Sequence, residues 1–143
     1  MPRSHSPLTS EFAQRAFLLT ELMRSTGERE FPAQLMSVFY FIAAHNGCKQ
    51  EEVIKGCGLS PSSVSRNVTW LGPQHRFEHR SGLKLVRRER DPNDYKRWRL
   101  FLTPKGETFL GLVEGFLSKP LSLITKTKLE ANDSDNEDMG SSS

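Results

Sequence analysis

The sequence predicts a mainly α-helical domain that carries one small β-hairpin, on three observations. Apolar residues recur at helical spacing along most of the 143-residue chain. Residues 96–102 alternate with period two instead and read as a hairpin with the run 85–90, the turn-forming Asp91-Pro92-Asn93-Asp94 lying between them. Ahead of that hairpin, Gly56-Cys57-Gly58-Leu59 reads as a tight turn joining a short helix to a well-capped one.

Residues 1–9 hold Pro2, Ser4, Ser6 and Pro7 without any period and are expected to form a flexible arm, with Arg3 and His5 able to touch phosphate. A helix begins at Ser10 and ends near Gly27, with Phe12, Ala16, Leu19, Leu22 and Met23 as its apolar stripe. That stripe either caps the domain's own core or meets a second subunit, and the period alone does not choose. The next helix opens at Phe31-Pro32, turns Leu35, Val38, Phe39, Ile42 and Ala43 to one side, and stops at Asn46-Gly47. Its consecutive rings Phe39, Tyr40 and Phe41 exceed what one face requires. They read as core wedged between helices, or as the lining of a ligand pocket.

Residues 50–55 supply the short helix before the glycine turn. In the helix after it, Ser60 is the N-cap and Pro61 sits in the first turn, where a missing N–H costs nothing. Val64, Val68 and Leu71 fall at i, i+4 and i+7, leaving Ser62, Ser63, Ser65, Arg66 and Thr69 on the other face. Small hydroxyls permit close approach and one long cation supplies charge, a face suited to duplex DNA. Helix, turn, capped helix and hairpin together make a winged helix-turn-helix. In the hairpin's second strand Trp98, Leu100 and Leu102 face one side, Arg97 and Arg99 the other.

Glycine-bounded residues 72–82 read as a loop whose His75, Arg76, His79 and Arg80 either lie beside a phosphate backbone or are simply solvated. Thr103 caps the last helix with Pro104 at its first position. Phe109, Leu112, Val113, Phe116 and Leu117 run towards Pro120, and Leu121, Leu123 and Ile124 extend it after a kink. Amphipathic helices at both ends carry more apolar surface than one small wing can cover, which predicts a homodimer. Residues 129–143 form a disordered acidic tail by composition.

The pattern resembles the winged helix of the multiple-antibiotic-resistance regulator (MarR) family of bacterial transcription factors. The resemblance is carried by Leu59-Ser60-Pro61-Ser62-Ser63-Val64-Ser65-Arg66, then Arg90-Asp91-Pro92-Asn93-Asp94, then Leu102-Thr103-Pro104-Lys105-Gly106-Glu107, and covers roughly residues 10–118. Two features depart from it. The family's wing usually reads Asp-x-Arg, whereas Asp94-Tyr95-Lys96 places lysine there with Arg97 beside it, and the segment 73–84 is several residues longer than the family's habit. The resemblance implies a domain over residues 10–128, with dimerisation helices at 10–30 and 104–128 and the winged helix at 48–106. It also implies a small phenolic effector.

Charge agrees with a polyanion partner. The net charge of +3 hides an asymmetry: residues 49–105 hold 13 Lys+Arg against 6 Asp+Glu, an excess of +7, whereas residues 130–138 hold five acids and no base. With a mean hydropathy of −0.54, no apolar run of membrane length and no signal-peptide core at the N-terminus, the expected location is cytoplasmic, at the nucleoid, without membrane contact. Cys48 and Cys57 are expected to be reduced and partly buried; a redox switch is the alternative. Their spacing is too wide for a zinc knuckle, so no metal or cofactor is expected with His75 and His79. Ser65 and the histidines lack a neighbouring Asp in a nucleophile arrangement, and no phosphate loop or paired-carboxylate site occurs, so no enzyme is expected.

The leading function is a sequence-specific, double-stranded-DNA-binding transcriptional regulator, acting as a homodimer on a pseudo-palindromic site. Ser60, Ser62, Ser63, Ser65 and Arg66 are its recognition-helix contacts, with Ser62, Ser63 and Arg66 nearest the bases. Lys96 and Arg97 approach the minor groove or backbone, and Arg87, Arg88 and Arg99 contact phosphates. The alternative is a non-specific or single-stranded-DNA-binding accessory protein of phage or mobile-element replication or transcription. The acidic tail and the wing rings Tyr95 and Trp98 support it. A protein-binding adaptor fits the +7 excess less well.

Overall fold

The computed structural model describes residues 10–26, 32–73 and 81–122. The expectations for the N-terminal arm, the centre of the 72–82 loop with its His75, Arg76, His79 and Arg80, the continuation through Leu123 and Ile124, and the acidic tail lie outside the described residues. In chain order the elements are α1 (Glu11–Arg24), α2 (Ala33–Ala44), β1 (Cys48–Lys49), α3 (Gln50–Cys57), α4 (Pro61–Leu71), β2 (Val86–Arg90), β3 (Trp98–Leu102) and α5 (Pro104–Ser118). The predicted class, mainly α with a small wing, is the observed one. The chain divides into two compact units, one within Arg24–Gly111 and one drawn from Met1–Met23 and Leu112–Ser143.

The core of the first unit gathers where the helical stripes converge. Leu35, Val38, Phe39 and Ile42 of α2, at i, i+3, i+4 and i+7, are all sealed from solvent. Val53 of α3, Val64, Val68 and Leu71 of α4, and Leu85, Val86 and Leu100 join them. Of the three-residue ring run only Phe39 is sealed in the core, where it meets Phe109 and Tyr40 edge-on, each at 5.5 Å; Tyr40 and Phe41 are half-buried, and Phe41 stacks on the exposed His45 at 4.3 Å.

The predicted glycine turn is shorter than expected. Helix α3 continues through Gly56 and Cys57, and only Gly58 takes the left-handed conformation (φ 63°) that ends it. Gly56 is a packing glycine instead: a Cβ there would lie 2.1 Å from the Phe41 ring. The hairpin also gains a strand. Cys48 and Lys49 pair antiparallel with Leu100 and Arg99, so the sheet runs β1-β3-β2. Two residues are too few to show a period. In the hairpin itself Val86 opposes Leu102 and Arg90 opposes Trp98, while Lys96 and Arg97 fall in the turn rather than the strand.

The ends of the long loop are fastened together. Backbone amides of Gly82, Leu83, Lys84 and Leu85 donate to the carbonyls of Pro73, Trp70, Gly72 and Leu71, so the chain returns along the end of α4 before entering β2. Helix α5 starts as predicted, with Thr103 Oγ1 accepting from the Gly106 amide at 2.9 Å while donating to the Lys84 carbonyl at 2.6 Å.

In the second unit Ser10 Oγ caps α1, accepting from the Ala13 amide at 3.2 Å. Arg15 donates to the Phe116 carbonyl at 2.8 Å and pairs with Glu11 at 2.8 Å. Of the predicted α1 stripe, Met23 is buried, but Ala16 is exposed and Phe12 is 84% exposed, as are Phe17 (60%), Leu112 (50%) and Leu117 (57%). Among the described residues this apolar surface is left open.

Candidate nucleic-acid interface

Helix α4 is set by its first turn. Ser60 Oγ accepts from the Ser63 amide at 3.1 Å, the N-cap bond anticipated from the sequence, and Pro61 stands at the first helical positions. The same hydroxyl donates to Ser63 Oγ at 2.9 Å and lies 3.2 Å from Ser62 Oγ. Arg66 donates to Ser63 Oγ at 3.3 Å, so its guanidinium rests over the cap without losing exposure. Val64, Val68 and Leu71 anchor the inner face, with Asn67 also buried. Ser60, Ser62 and Arg66 are exposed, and Ser63, Ser65 and Thr69 are half-buried. The structure thus gathers Ser60, Ser62, Ser63 and Arg66 at one end of one helix; Ser65 lies along its flank.

The wing residues divide by chemistry. Its turn is held by Asp91, a carboxylate only 1% exposed. Asp91 Oδ1 accepts from the Asn93 amide at 2.9 Å; Oδ2 lies 3.4 Å from Arg99 Nε and 4.0 Å from Lys49 Nζ. The Asn93 amide foremost, then the two cations, hold the Asp91 carboxyl below the ordinary aspartate range against the opposing effect of burial. Arg99 further donates to the Gly47 carbonyl at 3.2 Å, which ties it to the base of the wing. Arg97 is gripped twice, by Asp94 Oδ2 and by Glu51 Oε2, each at 2.9 Å. Arg87 pairs with Glu89 and lies over the Phe101 ring at 4.6 Å. Arg88 and Arg90 approach Trp98 at 5.1 and 3.7 Å, and Arg90 also faces Tyr95 at 5.7 Å. Lys96 is exposed at the turn, and its amide donates to Asp94 Oδ1 at 3.2 Å.

Three organising residues are not among the site residues expected from the sequence: Glu51 of α3, and Asp91 and Arg90, which the sequence marks only as part of the hairpin and its turn. A pairing across 46 residues, as Arg97 makes with Glu51, leaves no local signal. The Asp91-Pro92-Asn93 run did carry one, since Asp accepts from the amide two residues on in such turns.

Both cysteines are free thiols. Burial, with Glu52 nearby, pushes the Cys48 thiol up to about 11, and burial raises Cys57 too. Both thiols therefore stay protonated at neutral pH, the reverse of what oxidant sensing favours. Among the described residues no group of three or more His, Cys, Asp or Glu could hold a metal ion, and no helix is long and apolar enough to cross a membrane.

No protein-family model matches the sequence, and no curated protein matches it significantly. Solved structures do match the fold. The complex of S. aureus MepR with DNA is 16% identical over 90% of this chain and 96% of that one, with a TM-score of 0.57. A MarR transcriptional regulator from Methanosarcina mazei Go1 is 13% identical over 91% of each chain, with a TM-score of 0.55. Bordetella bronchiseptica BpsR, whose DNA binding is regulated by 6-hydroxynicotinic acid, is 17% identical over 81% of this chain and 79% of that one, with a TM-score of 0.50. At such identities the likeness speaks of architecture: this chain has a MarR-like winged-helix fold.

Proposed function

We propose that the protein is a sequence-specific regulator of transcription that binds double-stranded DNA as a homodimer. The observation that carries the reading is α4: a capped helix whose buried face is apolar and whose outer face offers Ser60, Ser62 and Arg66 at its N-terminal end. Helix N-termini entering the major groove present such residues to base edges. Lys96, Arg87 and Arg88 add exposed charge on the wing, whose strand β2 follows from the end of α4 through the backbone bonds of residues 82–85. The open apolar surface of Phe12, Phe17, Leu112 and Leu117 supports a second copy of the chain as partner. The MepR and BpsR structures support the DNA partner, and BpsR supports a small aromatic effector acting on the complex.

Selection of genomic fragments by the purified protein tests the reading, with light scattering at micromolar concentration for the dimer. Enrichment of a shared sequence with two half-sites is expected. Equal capture of all fragments, or a monomeric mass, overturns the corresponding part. The single-strand alternative retains one observation, the 78% exposed Tyr95 ring. Against it, Arg90 and Arg88 already lie over Trp98. Preference for single strands over duplex of the same sequence would establish that alternative.

A further inference from the structure

We propose that the cleft between α3 and the wing is a binding site for one DNA backbone phosphate, occupied in the free protein by the carboxylate of Glu51. The proposal rests on the duplex-DNA reading above. Lys49, Gln50, Glu51, Ile54, Lys96, Arg97 and Trp98 line the cleft, so three cations and one acid share a single opening. The acid is the residue seated on the best anion receptor: Glu51 Oε2 lies 2.9 Å from an Arg97 guanidinium nitrogen. Asp94, three residues from Arg97, holds the other edge of the guanidinium from within the turn at 2.9 Å.

The other acids of the wing have architectural explanations. Asp91 is buried beneath the turn, and Glu89 pairs with Arg87 two residues away along its own strand. Glu51 instead reaches the wing from α3, and its side chain is 54% exposed against 44% for Arg97. An ion pair this exposed contributes little to folding. Its position does matter to an approaching polyanion, because its carboxylate oxygen holds the place on the guanidinium that a phosphate oxygen would take. When the wing meets DNA, two outcomes are open to the pair. Arg97 stays with Glu51 and one phosphate contact is missing, or it exchanges and Glu51 takes up a cation in compensation. Either way the net release of counterions is lower by about one than with a neutral side chain at position 51.

The test is titration of the full chain against random duplex between about 50 and 200 mM salt. Four proteins are compared: the unsubstituted chain, Glu51→Gln, Glu51→Gln combined with Arg97→Gln, and Glu52→Gln. The last removes the same charge from the exposed neighbour on α3 without freeing Arg97. Glu51→Gln should bind more tightly at low salt and steepen the log–log salt slope by about 0.9, an extra loss of about 3.5-fold across that range. The double substitution should lose the gain, and Glu52→Gln should leave the slope unchanged. An unchanged slope in Glu51→Gln, an equal gain in Glu52→Gln, or a gain that survives removal of Arg97 overturns the phosphate site while leaving DNA binding intact. Failure of the unsubstituted chain to bind any duplex overturns both.

Discussion

Replacing Gly106 by alanine tests how the wing is attached to the last helix. A Cβ at position 106 would lie 2.1 Å from the Leu85 carbonyl oxygen and 3.1 Å from its carbon, both backbone atoms that cannot swing aside. Relief requires moving residues 83–85 away from the start of α5. That movement strains the Thr103 amide bond to Leu85 O (3.0 Å), the Thr103 hydroxyl bond to Lys84 O (2.6 Å) and the Lys105 ammonium bond to Leu83 O (3.0 Å). Overpacking of this kind costs about 1–3 kcal/mol. One weakened hydrogen bond adds about 1 kcal/mol. Alanine's better helix propensity returns about 1 kcal/mol at most, and less so near a helix start. The net expectation is a destabilisation of about 1–3 kcal/mol, or a melting temperature lower by about 3–9 °C for a chain of this length. Circular dichroism melts at one fixed protein concentration measure it, since association would shift the midpoint. Gly111→Ala, where an added Cβ meets nothing within 4 Å, should gain about 0.5–1 kcal/mol instead. A Gly106→Ala protein as stable as the unsubstituted one would refute the close-approach argument.

Two further outcomes follow from the site. Arg66→Ala should cost about 1–3 kcal/mol on a selected duplex and relax preference at one base position; equal losses on selected and random duplex would show that Arg66 meets only phosphate. Because the folded-state pKa of Asp91 is lowered, its contribution to stability is present above the unfolded aspartate range and is lost as pH falls through the folded value. Wing order, followed by Trp98 fluorescence in a Trp70→Phe background, should therefore weaken at acid pH, below about 4. The Asp91→Asn protein should lack that transition, and an identical acid profile in both would remove Asp91 as the wing's anchor.

Much of this protein was decided by short stretches of sequence. The Ser60-Pro61 start and the Val64, Val68, Leu71 stripe specify α4, because a side-chain cap and a 3.6-residue period act within a turn or two. The same holds for α2 and its four sealed residues, for Thr103 and Pro104 at the start of α5, and for the hairpin turn Asp91-Pro92-Asn93-Asp94 with its second strand. The glycine turn lies where the sequence predicts it but is confined to Gly58, since the close packing of Gly56 under Phe41 leaves no mark on local sequence.

The tertiary structure alone decided what each cation of the wing does. Nothing in the sequence assigns a partner within the chain to Arg87, Arg88, Arg97 or Arg99. In the fold Arg99 braces the buried Asp91, Arg97 is divided between Asp94 and Glu51, Arg87 pairs with Glu89, and Arg88 lies near Trp98. The strand Cys48–Lys49 likewise exists only because β3 offers it an edge. The physical reason is range: caps, turns and periodic faces are set by neighbours a few residues away. The partner of a charge is whichever opposite charge the folded chain brings within about 4 Å, and for Arg97 and Glu51 that meeting spans 46 residues.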